Sequence, residues 1–371
     1  MNENYHLQTA LIGVPKTAVD TPALLVDLDV MEANMARVLA TCRENGVAWR
    51  PHCKGHKSPD IAKREVAAGA IGVTCAKLGE AEVMVAAGIR EILIANQVVG
   101  AAKIGRLLAL LDSARVIVSV DSVANVEELA RAAVQASKTA EVVIEVDVGM
   151  QRAGVAPGAP ALALAKEIAA RPGVKLVGLF GWESQATQIA DAAEKASVVR
   201  VAVGKLAATA AACAEAGHSM RIVSCGGTGT FPYCAEQPGV TEIQAGGAIF
   251  SDVHYREHYH TDFAPALTIL ATVTSRPNPT RIILDAGRKA MSCDMAMPAP
   301  LGLPTIAAIK LSAEHCKIEL ATPSDMPRIG DKIELICGYS DSTVFLHDQI
   351  VGHRSRRVEA VWPLLARGKL T

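Results

Sequence analysis

Short β-rich runs recur along the chain from residue 46 to residue 247, each followed by an Ala- and Leu-rich stretch. The runs read VAWRPHC (ending at Cys53), IGVTCA (71–76), EILIANQ (91–97), RVIVSV (115–120), EVVIEVD (141–147), LVGLFGW (176–182), RIVSCGG (221–227) and TEIQAGG (241–247). Most are continuously apolar rather than alternating, the pattern of parallel strands covered on both faces. The stretches between them, such as DIAKREVAAG and GEAEVMVAAG, carry charges at helical spacing. Eight strand–helix units predict an α/β chain closed as a (β/α)8 TIM barrel. A doubly wound open sheet shares the periodicity and is the alternative.

After about residue 265 the pattern changes. ALTILATVTSRP, RIILDAG, KIELICG and VEAVWPL are strand-like and separated by Pro-, Gly- and Asp-containing turns. The expected division is a barrel over 23–265 and a second, C-terminal β domain over 266–371 together with 1–22. The run ALLVDLD (23–29) is a further segment that could pack with the β domain.

Composition narrows the class. Half of the 371 residues are apolar, 20% are charged and the formal net charge is -1. A near-neutral chain has no basic face for nucleic acid. The nine cysteines are scattered singly with no C-x-x-C pair, which suits a reducing cytoplasm and signals neither a zinc ribbon nor a redox motif. MNENYHLQTALIGVPK lacks the basic and apolar regions of a secretory signal, and no uninterrupted apolar run approaches a membrane span. The expectation is a cytoplasmic protein with no membrane partner.

Barrel chemistry sits at the C-terminal ends of the strands. Those ends hold Lys54, Lys77, Asn96, Gln97, Asp147, Arg152, Trp182, Glu183, the CGGTGT loop (225–230) and AGG (245–247). One such residue is easily structural; polar groups at most of the ends read better as a functional set. Thr228 and Gly229 follow strand seven, and Gly246 and Gly247 follow strand eight. Unobstructed backbone amides at these two ends can close around a phosphate, although glycines also serve simple tight turns. Lys54 lies just past strand one in PHCKGHK, crowded by His52, His56 and Lys57. A lysine forms a Schiff base only when its amine is neutral, which desolvation or a nearby cation favours. A solvated basic loop is the ordinary reading of such a turn, and Lys77 competes for the role on physics alone.

Several blocks in order resemble one family over nearly the whole length: RPHCKGHKSP (50–59), CAKLGEAE (75–82), ANQVVG (95–100), EVDVGMQRAGV (145–155), CGGTGT, TEIQAGG, LDAGRKA (284–290), TVFLHD (343–348) and VWPLLARG (361–368). They are similar to the fold-type III pyridoxal 5'-phosphate (PLP) enzymes related to alanine racemase, and within them to the D-threonine aldolase and D-serine dehydratase group. The resemblance implies that Lys54 carries PLP as a Schiff base, that Arg152 contacts the cofactor ring oxygen, and that Thr228, Gly229, Gly246 and Gly247 bind its phosphate. It also implies an active homodimer.

The chain departs from the family at two places. Aldolases and dehydratases of the group carry a His-x-Asp or His-x-Cys metal pair ahead of the T-V-x-L-H block; this chain has Tyr339-Ser340-Asp341. Asp341 remains as a metal candidate, and a lone carboxylate leans toward a hard divalent ion such as Mg or Mn, or toward none. Tyr339 is a candidate acid or base, with packing as its plainer role. The aldolases also carry a basic histidine after strand six, where this chain has Gln188; Glu183 in WESQATQ is the ionisable replacement candidate. HYREHYH (254–260) offers His254, His258 and His260 either as replacement metal ligands or as a surface cluster without a role.

On this resemblance the expected activity is that of a PLP-dependent lyase acting on a small-molecule 3-hydroxy-D-amino acid, with retro-aldol cleavage to glycine and an aldehyde placed first. Dehydration to a 2-oxo acid and ammonia follows. Amino-acid racemisation, with Lys54 and Tyr339 as opposed bases, comes next, and a non-catalytic PLP carrier last. No residue cluster marks the side-chain pocket; Arg288, Trp182 and Tyr233 are the guesses.

Overall fold

The computed structural model describes residues 11–371; the first ten residues of the N-terminal expectation lie outside it. Two compact units divide the chain, Met35–Gly246 with Ala366–Thr371, and the residues up to Asn34 with Gly247–Leu365.

The first unit is the barrel. Its strands, first to eighth, are Ala48–Trp49, Val73–Cys75, Glu91–Gln97, Arg115–Val120, Ala140–Glu145, Val174–Phe180, Ile222–Cys225 and Glu242–Ile243. Second to eighth pair in parallel in sequence order, and the first pairs with the eighth. A bridge between His52 and Thr74 joins the first strand's extension to the second and closes the ring, so the open-sheet alternative falls. Side chains from the third to seventh strands, among them Leu93, Ile117, Val143, Val177 and Ile222, pack into one buried cluster.

Helix punctuation follows local chemistry. Pro59 opens Pro59–Ala68, a position where its missing N–H goes unneeded. Gly69 ends that helix at φ 126, a backbone angle that an L side chain resists. The helix Ala192–Glu215 is long and apolar enough to cross a membrane by length and composition. Lys195, Arg200 and Lys205 interrupt it, however, and its buried residues Val199, Val203, Leu206 and Ala210 lie on a helix packed against the sixth and seventh strands.

The second unit is built on a nine-stranded sheet. The four strands expected from the sequence are present as Leu267–Asn278, Arg281–Leu284, Lys332–Ile336 and Arg357–Pro363, joined by Ala299–Pro300, Ile306–Leu311, Cys316–Leu320 and Gln349–Arg354. Its core includes Val19, Leu25, Leu270, Val351 and Val358.

The units do not divide at 23 and 265 as the sequence suggests. Ala23–Asp27 is antiparallel to Leu267–Asn278 and parallel to Gln349–Arg354, so its ladder bonds commit it to the β unit. The tail 366–371 belongs instead to the barrel, where Ala366 donates its amide to Lys57 O at 3.1 Å and Thr371 O accepts from Gly79 N at 3.0 Å.

The barrel seam carries a charged clasp. Arg50 Nε and Nη2 reach Glu242 at 3.0 and 3.1 Å, with both side chains under 5% exposed. Removing one partner from a buried pair strands the other charge, at about 3–5 kcal/mol. Glu242→Ala should therefore lower unfolding stability by about that amount, read as a shift in the denaturant midpoint; an unchanged midpoint would show that the seam closes without the pair.

Candidate active site

In the barrel unit, Lys54, Arg152 and Trp182 come together. Lys54 Nζ lies 5.6 Å from the Trp182 ring centroid, and the Arg152 guanidinium carbon lies 5.5 Å from the same centroid, so two cations share one indole face system. The approach of Arg152 is set by its turn. Asp147 Oδ1 accepts the amides of Gly149 and Gln151 at 2.9 and 3.0 Å, and Arg152 Nη2 lies 3.8 Å from Glu145 Oε1. Glu145 is held in turn by Gln97 Nε2 at 2.6 Å and Ser119 Oγ at 3.5 Å; burial raises its carboxyl above the usual range. Glu145 and Trp182 are the parts of this arrangement that strand-end counting undervalued. Glu145 was visible as a carboxylate inside an otherwise apolar strand.

The PHCKGHK turn sorts its own residues. Lys57 pairs with Glu80, and Glu80 also caps the amides of Ala76 and Lys77 at 2.6 and 3.0 Å. His56 Nε2 faces Glu65 at 3.4 Å. Lys77 is exposed at the start of its helix. His52 Nδ1 accepts the Lys54 amide at 3.3 Å, and its pKa is held well below 6.5, first by burial and then by Lys54, Lys57, His56 and Arg152.

The glycine loop after strand seven fits a phosphate. The amides of Thr228, Gly229 and Gly246 find no acceptor among the described residues. A Cβ on Gly227 would come within 2.7 Å of Trp182 Nε1, and one on Gly246 would overlap the carbonyl of His52. Trp182 Nε1 is itself buried without a partner among the described residues, a donor that costs free energy unless something accepts from it. The cradle thus offers spare donors beside a lysine and an arginine, which is what a phosphorylated aldehyde cofactor needs.

Glu183 is held by the glycine loop. Its residue is fully buried, and its carboxylate accepts from Thr230 Oγ1 at 2.5 Å and, at longer range, from the amides of Gly226 and Gly227, both at 3.4 Å. Those bonds tie it to the glycine loop.

Gly247, Tyr339 and Asp341 belong to the β unit and are described there. A Cβ at Gly247 would overlap the Tyr255 ring. Tyr339 donates to Asp341 Oδ2 at 3.1 Å; burial first, then Asp341, raises the phenol far above its usual range, so it keeps its proton. A protonated phenol beside one carboxylate does not replace the missing His-x-Asp metal pair. The histidine motif splits: His254 is buried at 2% exposure, while His258 and His260 are exposed. Burial and His258 lower the His254 pKa against the pull of Asp294 and Asp341.

Comparison with known proteins places this geometry. The alanine racemase N-terminal domain family matches residues 26–253, and a putative serine dehydratase domain matches 266–353. The chain is 38% identical to a D-threonine aldolase of Arthrobacter sp over 359 residues, covering 96% of this chain and 95% of that one. It is 32% identical to a 3-hydroxy-D-aspartate aldolase of Paracoccus denitrificans over 370 residues, covering 97% and 95%. The crystal structure of D-threonine aldolase from Filomicrobium marinum superposes with a TM-score of 0.93 at 35% identity, covering 97% of this chain and 99% of that one.

Two expectations follow. Glu183→Gln should loosen the loop and weaken PLP affinity about tenfold, about 1.4 kcal/mol; lost turnover at unchanged affinity would return the carboxylate to the chemistry. His52 gains its proton less readily folded than unfolded, so the cofactor-free protein keeps its full stability above its ordinary pKa of 6.5 and loses stability as pH falls below it. Denaturant midpoints should decline from about pH 7 to about pH 5.5, and His52→Asn should flatten that slope; an identical slope would clear His52.

Proposed function

The chain belongs to the alanine racemase N-terminal domain family, joined to a serine dehydratase-type domain, and from that membership we propose that it is a PLP-dependent lyase that cleaves 3-hydroxy-D-amino acids between Cα and Cβ. The products are glycine and an aldehyde. The observation that carries the reading is Lys54 and Arg152 gathered on Trp182 beside a glycine loop with spare amides, in a chain similar over nearly its whole length to two aldolases of such substrates.

PLP, when bound, supplies an electron sink for the pair released as the Cα–Cβ bond breaks. The protein's own groups do the rest. Lys54 holds the cofactor covalently, and Arg152, steadied by Glu145, faces the same indole. The amides of Thr228, Gly229 and Gly246 take the phosphate, with Glu183 keeping the loop in shape. His52 stays neutral and adds no further positive charge around Lys54. Carbon–carbon cleavage also needs the β-hydroxyl proton removed. Gln188 cannot take it, and Glu183 is spent on the loop.

Asp341 is carried as a metal ligand. The nine cysteines are all free, which supports a cytoplasmic setting; the homodimer rests on the family alone.

Incubation of PLP-loaded enzyme with 3-hydroxy-D-amino acids and plain D-amino acids should give glycine and an aldehyde from the former only. A 2-oxo acid with ammonia would make it a dehydratase, and enantiomer exchange without cleavage a racemase. Borohydride reduction and peptide mapping should place the cofactor on Lys54, and a label on Lys77 would overturn that assignment.

A further inference from the structure

The β unit holds a buried imidazole with nothing to bind. His254 is 2% exposed, and neither Nδ1 nor Nε2 has a hydrogen-bond partner among the described residues. A buried polar group left unsatisfied costs about 1–3 kcal/mol, so an orphan ring of this kind calls for a ligand. Its ring neighbours are aromatic. The rings of Tyr259, His258, Tyr339 and Tyr255 stand around it with centroids at 4.6, 5.1, 5.3 and 6.2 Å.

Backbone pairing explains why His254 stands there. Val253 N donates to Cys337 O at 3.1 Å and His254 N to Gly338 O at 3.0 Å. Asp252 accepts the amide of Ser340 with Oδ2 at 2.7 Å and that of Tyr255 with Oδ1 at 2.7 Å. These bonds clamp the start of the short helix Val253–Glu257 alongside the segment Tyr339-Ser340-Asp341. Tyr339 lies edge-on to His254 and donates its phenol to Asp341. An imidazole from a different part of the sequence therefore packs against the tyrosine that stands where the motif ahead of TVFLHD would carry a histidine.

We propose that His254 and Asp341 form a divalent metal site, with His254 supplying the nitrogen donor that Tyr339 cannot. One imidazole nitrogen and one carboxylate oxygen, with water in the remaining positions, suit a first-row divalent ion such as Mn²⁺, Co²⁺ or Zn²⁺ better than Mg²⁺, because nitrogen is a poor partner for the harder ion. Tyr339, hydrogen-bonded to the carboxylate, orients Asp341 from the second sphere. The site goes beyond the aldol reading, and metal binding is read without turnover, so failure of one leaves the other standing.

The test uses the PLP-loaded enzyme stripped with a chelator and titrated with Co²⁺, following its visible absorption and the metal content after gel filtration. About one Co²⁺ per chain should bind, with Mg²⁺ a weak competitor. His254→Ala and His254→Asn should each weaken Co²⁺ affinity at least tenfold while leaving the far-ultraviolet circular dichroism and PLP absorbance intact. Tyr339→His in the His254→Ala background should regain Co²⁺ binding. The proposal is overturned if the parent enzyme binds no Co²⁺, or if both folded His254 variants bind it as tightly as the parent.

Discussion

Closure of the barrel rests on very little regular pairing. The first and eighth strands span two residues each, and their ladder alone would leave the register loosely held. Arg50 and Glu242, bidentate and dry, lock the two strands against each other. His52 and Thr74 then join the first strand's extension to the second. Everything that the site needs from strand one hangs from this seam. The chain leaves it through His52 and Cys53 and delivers Lys54 one residue later, while strand eight runs from the same clasp into Gly246, which passes against the His52 carbonyl.

The barrel was legible because burial on both faces writes a strand as an apolar run, and all eight runs are strands. The β unit was harder. Ile306–Leu311 is mostly exposed or half-buried, so it offers little apolar signal, and Cys316–Leu320 alternates in a stretch too short to stand out. Unit boundaries were only partly readable from pattern: ALLVDLD was a candidate to pack with the β domain, but the cut at residue 23 put it with the barrel. Ala23–Asp27 precedes the barrel strands in sequence, yet long-range ladder bonds decide where it goes.

At the site, residue types mark places more readily than they assign jobs. Lys54 and the glycine loop could be found from position, because strand ends and Cβ-free amides are local properties. The place of Glu183 could not. A carboxylate after a strand reads as reactive until its acceptor capacity is counted, and Thr230, five residues into another loop, takes a share of it. HYREHYH shows the same limit: three histidines look equivalent in sequence, and only folding buries one while leaving two in water.

Beneath Lys54 lies a pair of thiols, Cys53 and Cys75, with sulfurs 3.5 Å apart and both fully buried. The hydrogen bond to Cys75 and burial push the Cys53 thiol well above its ordinary range, so little thiolate exists to react even if reagent arrives. Alkylation at this pair must wait for the strand ends to part. The rate at which a thiol reagent modifies Cys53 is therefore a clock for the opening of the turn that bears Lys54, reporting a local fluctuation that turnover, averaged over the whole molecule, would hide.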